Sequence, residues 1–517
     1  MLNKCFCATC IGVDAVIVTV EIDLSTGIGI HLVGLPDCAV RESLLRVITA
    51  LTSYGFHIPG RKLVVNLAPA DIRKEGSAYD LAIAIGILAV SEQVEMMDCS
   101  RFVIMGELAL DGRIRPVNGV LPVALQAKKD GFRGCIFPAV SASEAAGIEG
   151  LEVYGVSTLA EAIEVVSRPE ECGRLLVVRQ PGGGDFHPSG NDFSLVRGQL
   201  VARRGLEIAA AGSHNLILVG SPGSGKSLMA SCLPSILPPM TRKEAIETGK
   251  VYSVAGRGAR IESLMRERPF RSPHHSASLV SLIGGGPQAG PGEVSLAHNG
   301  VLYLDEIAQF SRSLLDALRQ PLEDGRVTIS RARYKVTYPA HFMLIASMNP
   351  CPCGYYGDEP GRCTCTRGAV EGYLSRISGP MMDRIDLQVF VHSLSAVELL
   401  GMSDPSGRGE PAESSAAIAG RVARARAVQE ERFSGEEIHS NAAMNGRMLE
   451  RFCPLSDSCR RVLEKILDRM GLSARAYTRI LKVARTIADL AGEPDILPAH
   501  LLEAAGFRFL DRRRILD

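Results

Sequence analysis

Residues 15–24 alternate apolar and polar, with Val16, Val18, Val20, Ile22 and Leu24 on one face, the period of a half-buried strand. The period then changes to that of a helix: Val40, Leu44, Ile48 and Leu51 recur on one side, and Gly55 stands where a C-terminal cap is expected. Two apolar runs flank Asp111-Gly112, a pair suited to a tight turn, so Phe102–Val117 is predicted as a hairpin. Thr158 and Glu161 have the spacing of a capping box for a last helix ending near Val166. Together these elements predict a compact α/β domain over residues 1–167.

From 168 to 192 the pattern dissolves into Pro, Gly and charge, including Pro181-Gly182-Gly183-Gly184, the chemistry of a linker. A second domain is predicted over 193–395, because Asn215–Gly220, Val301–Leu304 and Phe342–Ser347 are short continuous apolar runs, as in a parallel sheet covered by helices. Another polar break, Ser403–Ser414, precedes a tail of helical period carrying Leu463, Ile466 and Met470, then Ile480, Val483 and Ile487. Residues 396–517 are therefore predicted as a linker and a small helical lid.

A chain of 517 residues exceeds a single core, in keeping with several domains at roughly 100–200 residues each. Its 46 % apolar and 22 % charged content suits a soluble globular protein, and no apolar run approaches the ~20 residues of a membrane-spanning helix, so no membrane role is expected. The apolar start is interrupted by Asp14 and Glu21 and lacks the pattern of a secretion signal, which makes the cytoplasm the expected compartment. In such a chain the 14 cysteines read as buried thiols or metal ligands rather than a disulfide scaffold. Net charge is zero, so contact with nucleic acid must rest on local basic patches.

Gly220-Ser221-Pro222-Gly223-Ser224-Gly225-Lys226-Ser227 fits the P-loop pattern, in which glycines let backbone N–H groups face phosphate oxygens at a helix N-terminus. Lys226 is the candidate for the β- and γ-phosphates of ATP and Ser227 for Mg²⁺. Val301–Leu304 delivers Asp305 and Glu306, the first a candidate for the metal shell, the second for orienting or deprotonating the attacking water. A glycine turn and a capped helix start are the bland alternatives for the two segments taken singly.

Cys351-Pro-Cys353 and Cys363-Thr-Cys365 flank a polar loop containing Gly354, Gly357 and Pro360. Four thiolates in so small a loop can surround one tetrahedral Zn²⁺ in a structural role; two labile disulfides or free thiols are the alternatives, and the C-x-C spacing is tighter than the usual zinc ligand spacing. Cys5, Cys7 and Cys10 also cluster, ahead of the first predicted strand, and read as plain thiols.

From Phe193 onward the chain resembles AAA+ ATPases of the magnesium-chelatase and replicative-helicase branch. The resemblance rests on an insert running from Arg268-Pro-Phe-Arg271-Ser-Pro-His274-His275 to Pro291-Gly-Glu293 and His298-Asn-Gly300, and on Ala346-Ser-Met-Asn349-Pro, similar to sensor-1. It also rests on Ser375-Arg376 through Asp383-Arg384-Ile-Asp386, which resembles an arginine-finger segment, and Ser473-Ala-Arg475, similar to sensor-2. The resemblance implies that Asn349 polarises the water beside Glu306. It implies too that Arg384, or in the alternative Arg376, reaches a neighbouring subunit's γ-phosphate, and that Arg475 is a second sensor. A structural ion pair is the alternative for each Arg. Residues 326–335 carry Arg326, Arg331, Arg333 and Lys335 without an acid; in the helicase branch this is a hairpin facing the ring's pore, where cations would bind nucleic-acid phosphates, against the alternative of a solvated face.

The amino-terminal domain resembles the proteolytic domain of Lon-type proteases through Lys74-Glu-Gly76-Ser77-Ala78 and Gly106-Glu-Leu through Gly119. Aligned on these landmarks, the nucleophile position falls on Ala78 and the catalytic Lys position on Leu121, so the dyad is absent and no protease is expected; Ser77 lies one residue out of register. The whole order is similar to the YifB/ComM family. That resemblance implies an α/β fold with a AAA+ P-loop core, parallel sheet and helical lid, preceded by an α+β Lon-like domain. It further implies a homohexameric ring and ATP-driven branch migration of DNA in recombination or transformation. A protein-remodelling ATPase and a metal-chelatase motor subunit are the competing expectations.

Overall fold

The computed structural model describes residues 2–95, 98–178, 190–258, 265–330, 335–358, 362–393, 413–470 and 474–511. The first of its two main sheets has seven strands, built from β1 (Leu2–Ile11), β2 (Asp14–Ser25), β3 (Ile30–Val33), β4 (Lys62–Ala68), β5 (Phe102–Ile104), β8 (Gly134–Pro138) and β9 (Glu152–Val156), with β6 (Glu107–Leu108) and β7 (Ile114–Arg115) as a separate pair. Its order is β3-β4-β2-β1-β5-β8-β9. The alternation in residues 15–24 is expressed as β2, antiparallel to both β1 and β4, with Val18, Val20 and Ile22 fully buried. The helix Cys38–Ser53 is capped by Asp37, and the helix Leu159–Ser167 begins at Thr158, which accepts the Glu161 amide. Asp80–Val90 is apolar on all sides and buried along nearly its whole length, as a helix enclosed by the sheet and its neighbours must be.

Two sequence expectations change here. The hairpin is confined to β6 and β7 around Gly112; Phe102–Ile104 is instead a strand of the main sheet, parallel to β1 and β8. Cys5, Cys7 and Cys10 do not precede the first strand but lie in β1, whose run of thiols, Ala and Phe packs on the core without a clean alternation for periodicity to detect. Residues 169–175 form two single turns, and Cys172 is fully buried against the first core.

The second sheet has five strands. In chain order the elements are β10 (Leu216–Gly220), β11 (Phe270–Arg271), a small ladder of β12 (Gly284–Gly285) and β13 (Gly290–Pro291), β14 (Val301–Leu304), the hairpin of β15 (Arg326–Ser330) and β16 (Lys335–Pro339), β17 (Met343–Met348) and β18 (Leu387–Val391). The sheet is parallel, ordered β11-β14-β17-β10-β18. This order matters for chemistry, because the C-terminal ends of β10, β14 and β17 open side by side into the crevice where parallel sheets bind ligands. The helices Ser415–Arg432, Asp457–Met470, Ala474–Ala491 and Pro498–Gly506 share one core with one face of this sheet. A buried polar chain fastens them: His214 contacts Asp386 (3.2 Å) and Thr486 (2.8 Å), and Arg479 donates to Asp386. Asp386 is fully desolvated, which disfavours its charge, yet Arg479 and His214 hold its carboxyl well below the usual range. No helix among the described residues is long and apolar enough to cross a membrane.

Candidate nucleotide site and cysteine cluster

β10 ends at Gly220, and the chain turns through Gly223 (φ +80°) and Gly225 (φ +89°) into the helix Lys226–Cys232. Left-handed φ at both positions is what only glycine adopts without cost, and it directs successive amides toward one point. Pro222, Gly223 and Ser227 are exposed at this mouth, while Lys226 is buried. The Lys226 ammonium donates to the carbonyls of Gly220 and Ser221 (both 2.8 Å) and lies 3.4 Å from Asn349 Oδ1. Burial lowers its pKa from the ordinary value, against the opposing pull of Asp305 and Glu306.

At the end of β14 the Asp305 carboxylate accepts from Ser227 Oγ (3.1 Å), Tyr303 OH (2.9 Å) and Ser347 Oγ. Burial raises its pKa, but these three hydroxyls and the Glu306 amide outweigh it and keep the carboxyl below its ordinary range. Ser227 and Asp305 thus present two hard oxygen donors side by side, the set that suits Mg²⁺. Glu306 is exposed and left-handed at φ +50°, a conformation that costs a non-glycine residue roughly 1–2 kcal/mol; its amide is held at 3.1 Å by Ser347 Oγ. Asn349 follows β17, the strand between β10 and β14. The residues singled out in three separate sequence segments therefore meet at three adjacent strand ends. Tyr303 and Ser347 were missed in the sequence, although each stands two residues before a singled-out residue, on the same face of its strand.

Arg384 donates to Glu323 (2.6 Å) and to the Pro380 carbonyl (2.8 Å), whereas Arg376 is exposed over the Tyr373 ring at 5.4 Å. Arg475 is exposed and pairs with Asp383 at 2.9 Å, which places it beside the Arg384 segment. The basic segment is a hairpin: Val327, Ile329, Val336 and Tyr338 are buried, and Arg326 and Lys335 are exposed. Arg331 and Arg333 lie outside the described residues.

The four sulfurs of Cys351, Cys353, Cys363 and Cys365 lie within 4.8 Å of one another. Sγ separations of 3.3 Å (Cys351–Cys353), 3.6 Å (Cys353–Cys363) and 3.8 Å (Cys351–Cys363) are far beyond a disulfide bond of about 2.05 Å. They approach the edge of about 3.8 Å that a tetrahedron with Zn–S of about 2.3 Å requires.

The two sheets are joined at a polar contact. The Gly119 amide donates to the Ser253 carbonyl (3.1 Å), Lys250 pairs with Asp14 (3.1 Å), and Arg242 with Glu149 (2.8 Å). A Cβ on Gly249 would lie 2.8 Å from Leu121, the position aligned with the Lon lysine. The Ala78 carbonyl accepts from the Gly106 amide (2.9 Å) and from the Cys7 thiol (3.7 Å), and Ser77 donates to Glu107.

The family described as magnesium chelatase, subunit ChlI, matches residues 192–399; its C-terminal family matches 412–508, and the family described as subunit ChlI of Mg-chelatase matches 20–141. The chain is 44 % identical to the competence protein ComM of Haemophilus influenzae over 97 % of this chain and 96 % of that one. It is 42 % identical to protein YifB of Escherichia coli over the same shares. A shorter likeness, 39 % over 103 residues, covers 20 % of this chain and 22 % of the DNA repair protein RadA of Aquifex aeolicus. With this fold, this order of motifs and relatives matched nearly end to end, the chain belongs to the magnesium-chelatase-like YifB/ComM family of AAA+ proteins.

Proposed function

We propose that this protein is an ATP hydrolase that assembles as a homohexameric ring and moves branched DNA, in the manner of a branch-migration helicase. The observation that carries the ATPase reading is the meeting of Lys226, Ser227, Asp305, Glu306 and Asn349 at three adjacent strand ends. Lys226 neutralises the β- and γ-phosphates, and the amides of Gly220 through Gly225 cradle them. Ser227 and Asp305 would hold Mg²⁺, which would supply charge neutralisation for the phosphates. Glu306 takes the proton of the attacking water, and Asn349 orients that water. Arg384, or Arg376, acts from the neighbouring subunit on the γ-phosphate, and Arg475, which pairs with Asp383, acts as a second sensor. Zinc in the four-cysteine loop is structural.

The DNA reading is supported by the near full-length likeness to a competence protein and by the exposed Arg326 and Lys335 of the hairpin. A protease is not proposed, since neither Ala78 nor Leu121 carries an ionisable side chain. A chelatase motor subunit is the second reading, favoured by the three family matches. The deciding experiment is ATP-dependent movement of a synthetic four-way junction, with casein unfolding as the control. Junction movement supports the proposal; unfolding without junction movement replaces it with protein remodelling.

A further inference from the structure

The cysteine loop is seated on the P-loop. Five residues after Asn349 the chain passes Gly354, and a Cβ there would lie 2.7 Å from Pro222 Cδ, so a glycine is needed for the loop to close on the phosphate-binding turn. At Asp358 one carboxylate oxygen accepts from Ser221 Oγ (2.9 Å) and from Ser393 Oγ (3.0 Å), joining the P-loop to the end of β18. Arg362 pairs with the same carboxylate (3.3 Å) and lies over the Tyr355 ring at 4.2 Å. Apart from the packing of Gly357 near Phe390, at 3.1 Å for an added Cβ, this stretch of Gly, Pro, Tyr and charged residues has little apolar material to hold it. Such a loop needs another source of order, and the four thiols at its base are spaced to supply it.

We propose that the four cysteines form a zinc site whose work is to hold the P-loop in its phosphate-binding shape, with Asp358 as the positioning residue that carries the constraint to Ser221. This rests on the ATP-site reading above. Zinc closes the loop at Cys351, Cys353, Cys363 and Cys365; the closed loop delivers Asp358 and Gly354; and these fix Ser221 and Pro222 on the first turn of the cradle. Affinity for MgATP then depends on a metal that touches no phosphate.

The test measures zinc content and equilibrium binding of MgATP on the full chain, before and after stripping with a chelator and a mild thiol reagent, and after adding back Zn²⁺, Cd²⁺ or Mg²⁺. About one zinc per chain is expected, with MgATP binding about tenfold weaker after stripping and restored by Zn²⁺ or Cd²⁺ but not by Mg²⁺ alone. Asp358→Ala should keep its zinc and lose affinity by a similar factor, and Asp358→Asn, which keeps an acceptor for Ser221, should recover most of it. Protein without zinc, or stripped protein that binds MgATP as tightly as before, overturns the proposal; loss on stripping without loss in Asp358→Ala overturns the role of Asp358. Lys226→Ala separates the two readings. If that variant also binds MgATP normally, the ATP-site reading has failed; if it does not, while stripping has no effect, only the zinc proposal has failed.

Discussion

The Leu121 amide donates to the Ser253 hydroxyl at 3.2 Å, across 132 residues of chain. The buried Leu121 side chain packs on the helix Arg242–Val254 of the AAA+ core. This leucine and its amide therefore form part of a joint between the two sheets. Ser253 in turn donates its hydroxyl hydrogen bond to Glu144, whose carboxyl burial pushes up to about 7, with the Ser253 hydrogen bond opposing.

This joint should respond to pH. A carboxyl whose pKa stands at about 7 in the folded chain rather than 4.5 favours the folded contact when protonated. Its stabilisation is complete below about pH 4.5, declines as pH rises and is exhausted above about 7, a swing on the order of 3 kcal/mol. Glu144→Gln should flatten this dependence. Hydrogen exchange at residues 118–123 and 249–258, corrected for intrinsic rates, should show protection falling between about pH 5 and 7 in the parent and not in the variant; identical profiles would refute it.

The nucleotide site should separate binding from turnover. Lys226→Ala removes the cation buried among the P-loop carbonyls and should abolish MgATP binding. Glu306→Gln should bind MgATP and lower turnover by about 10²-fold or more, the usual contribution of a positioned base. Parent-like turnover in either variant would remove these residues from the site.

The amino-terminal domain should hydrolyse no peptide bonds. Ser77 donates to Glu107, itself paired with Arg115 at 3.1 Å, so its partner is a carboxylate already engaged by a cation. Ser77→Ala should leave ATP turnover and junction movement unchanged. Peptidase activity that disappears in this variant would overturn the assignment.

The hairpin should hold DNA. Neutralising Arg331, Arg333 and Lys335 together should weaken DNA binding and flatten the slope of log K against log[salt] by about 2 to 3 units, at roughly 0.7–0.9 per phosphate contact. Basal ATP turnover should persist. Binding compared at several salt concentrations, with junction movement, checks this; an unchanged slope and unchanged movement would leave the cations as a solvated face.

The parts of the site legible in the sequence are those where chemistry demands contiguous residues. A strand, a glycine turn and a helix start must follow one another to cradle phosphate, so Gly220–Ser227 can be read directly, and the apolar run before Asp305-Glu306 announces its strand in the same way. The cysteine spacing likewise limits where four sulfurs can go, and the fold brings them together. Strand alternation exposed β2 but not β1, whose small residues and thiols blur the contrast between its faces.

By itself, then, the sequence determined the parallel texture of the second sheet and the local shape of each motif, because these follow from periodicity, glycine conformational freedom and spacing within a few residues. Only the tertiary structure decided which motifs became neighbours. The strand order sets β17 between β10 and β14, bringing Asn349 within 3.4 Å of Lys226 across 123 residues. Packing of loops and helices also carries Asp358 to Ser221 across 137 residues and Leu121 to Ser253 across 132. Such pairings depend on how whole sheets and helices pack, and a single Asp or Ser leaves no periodic trace of a partner that distant.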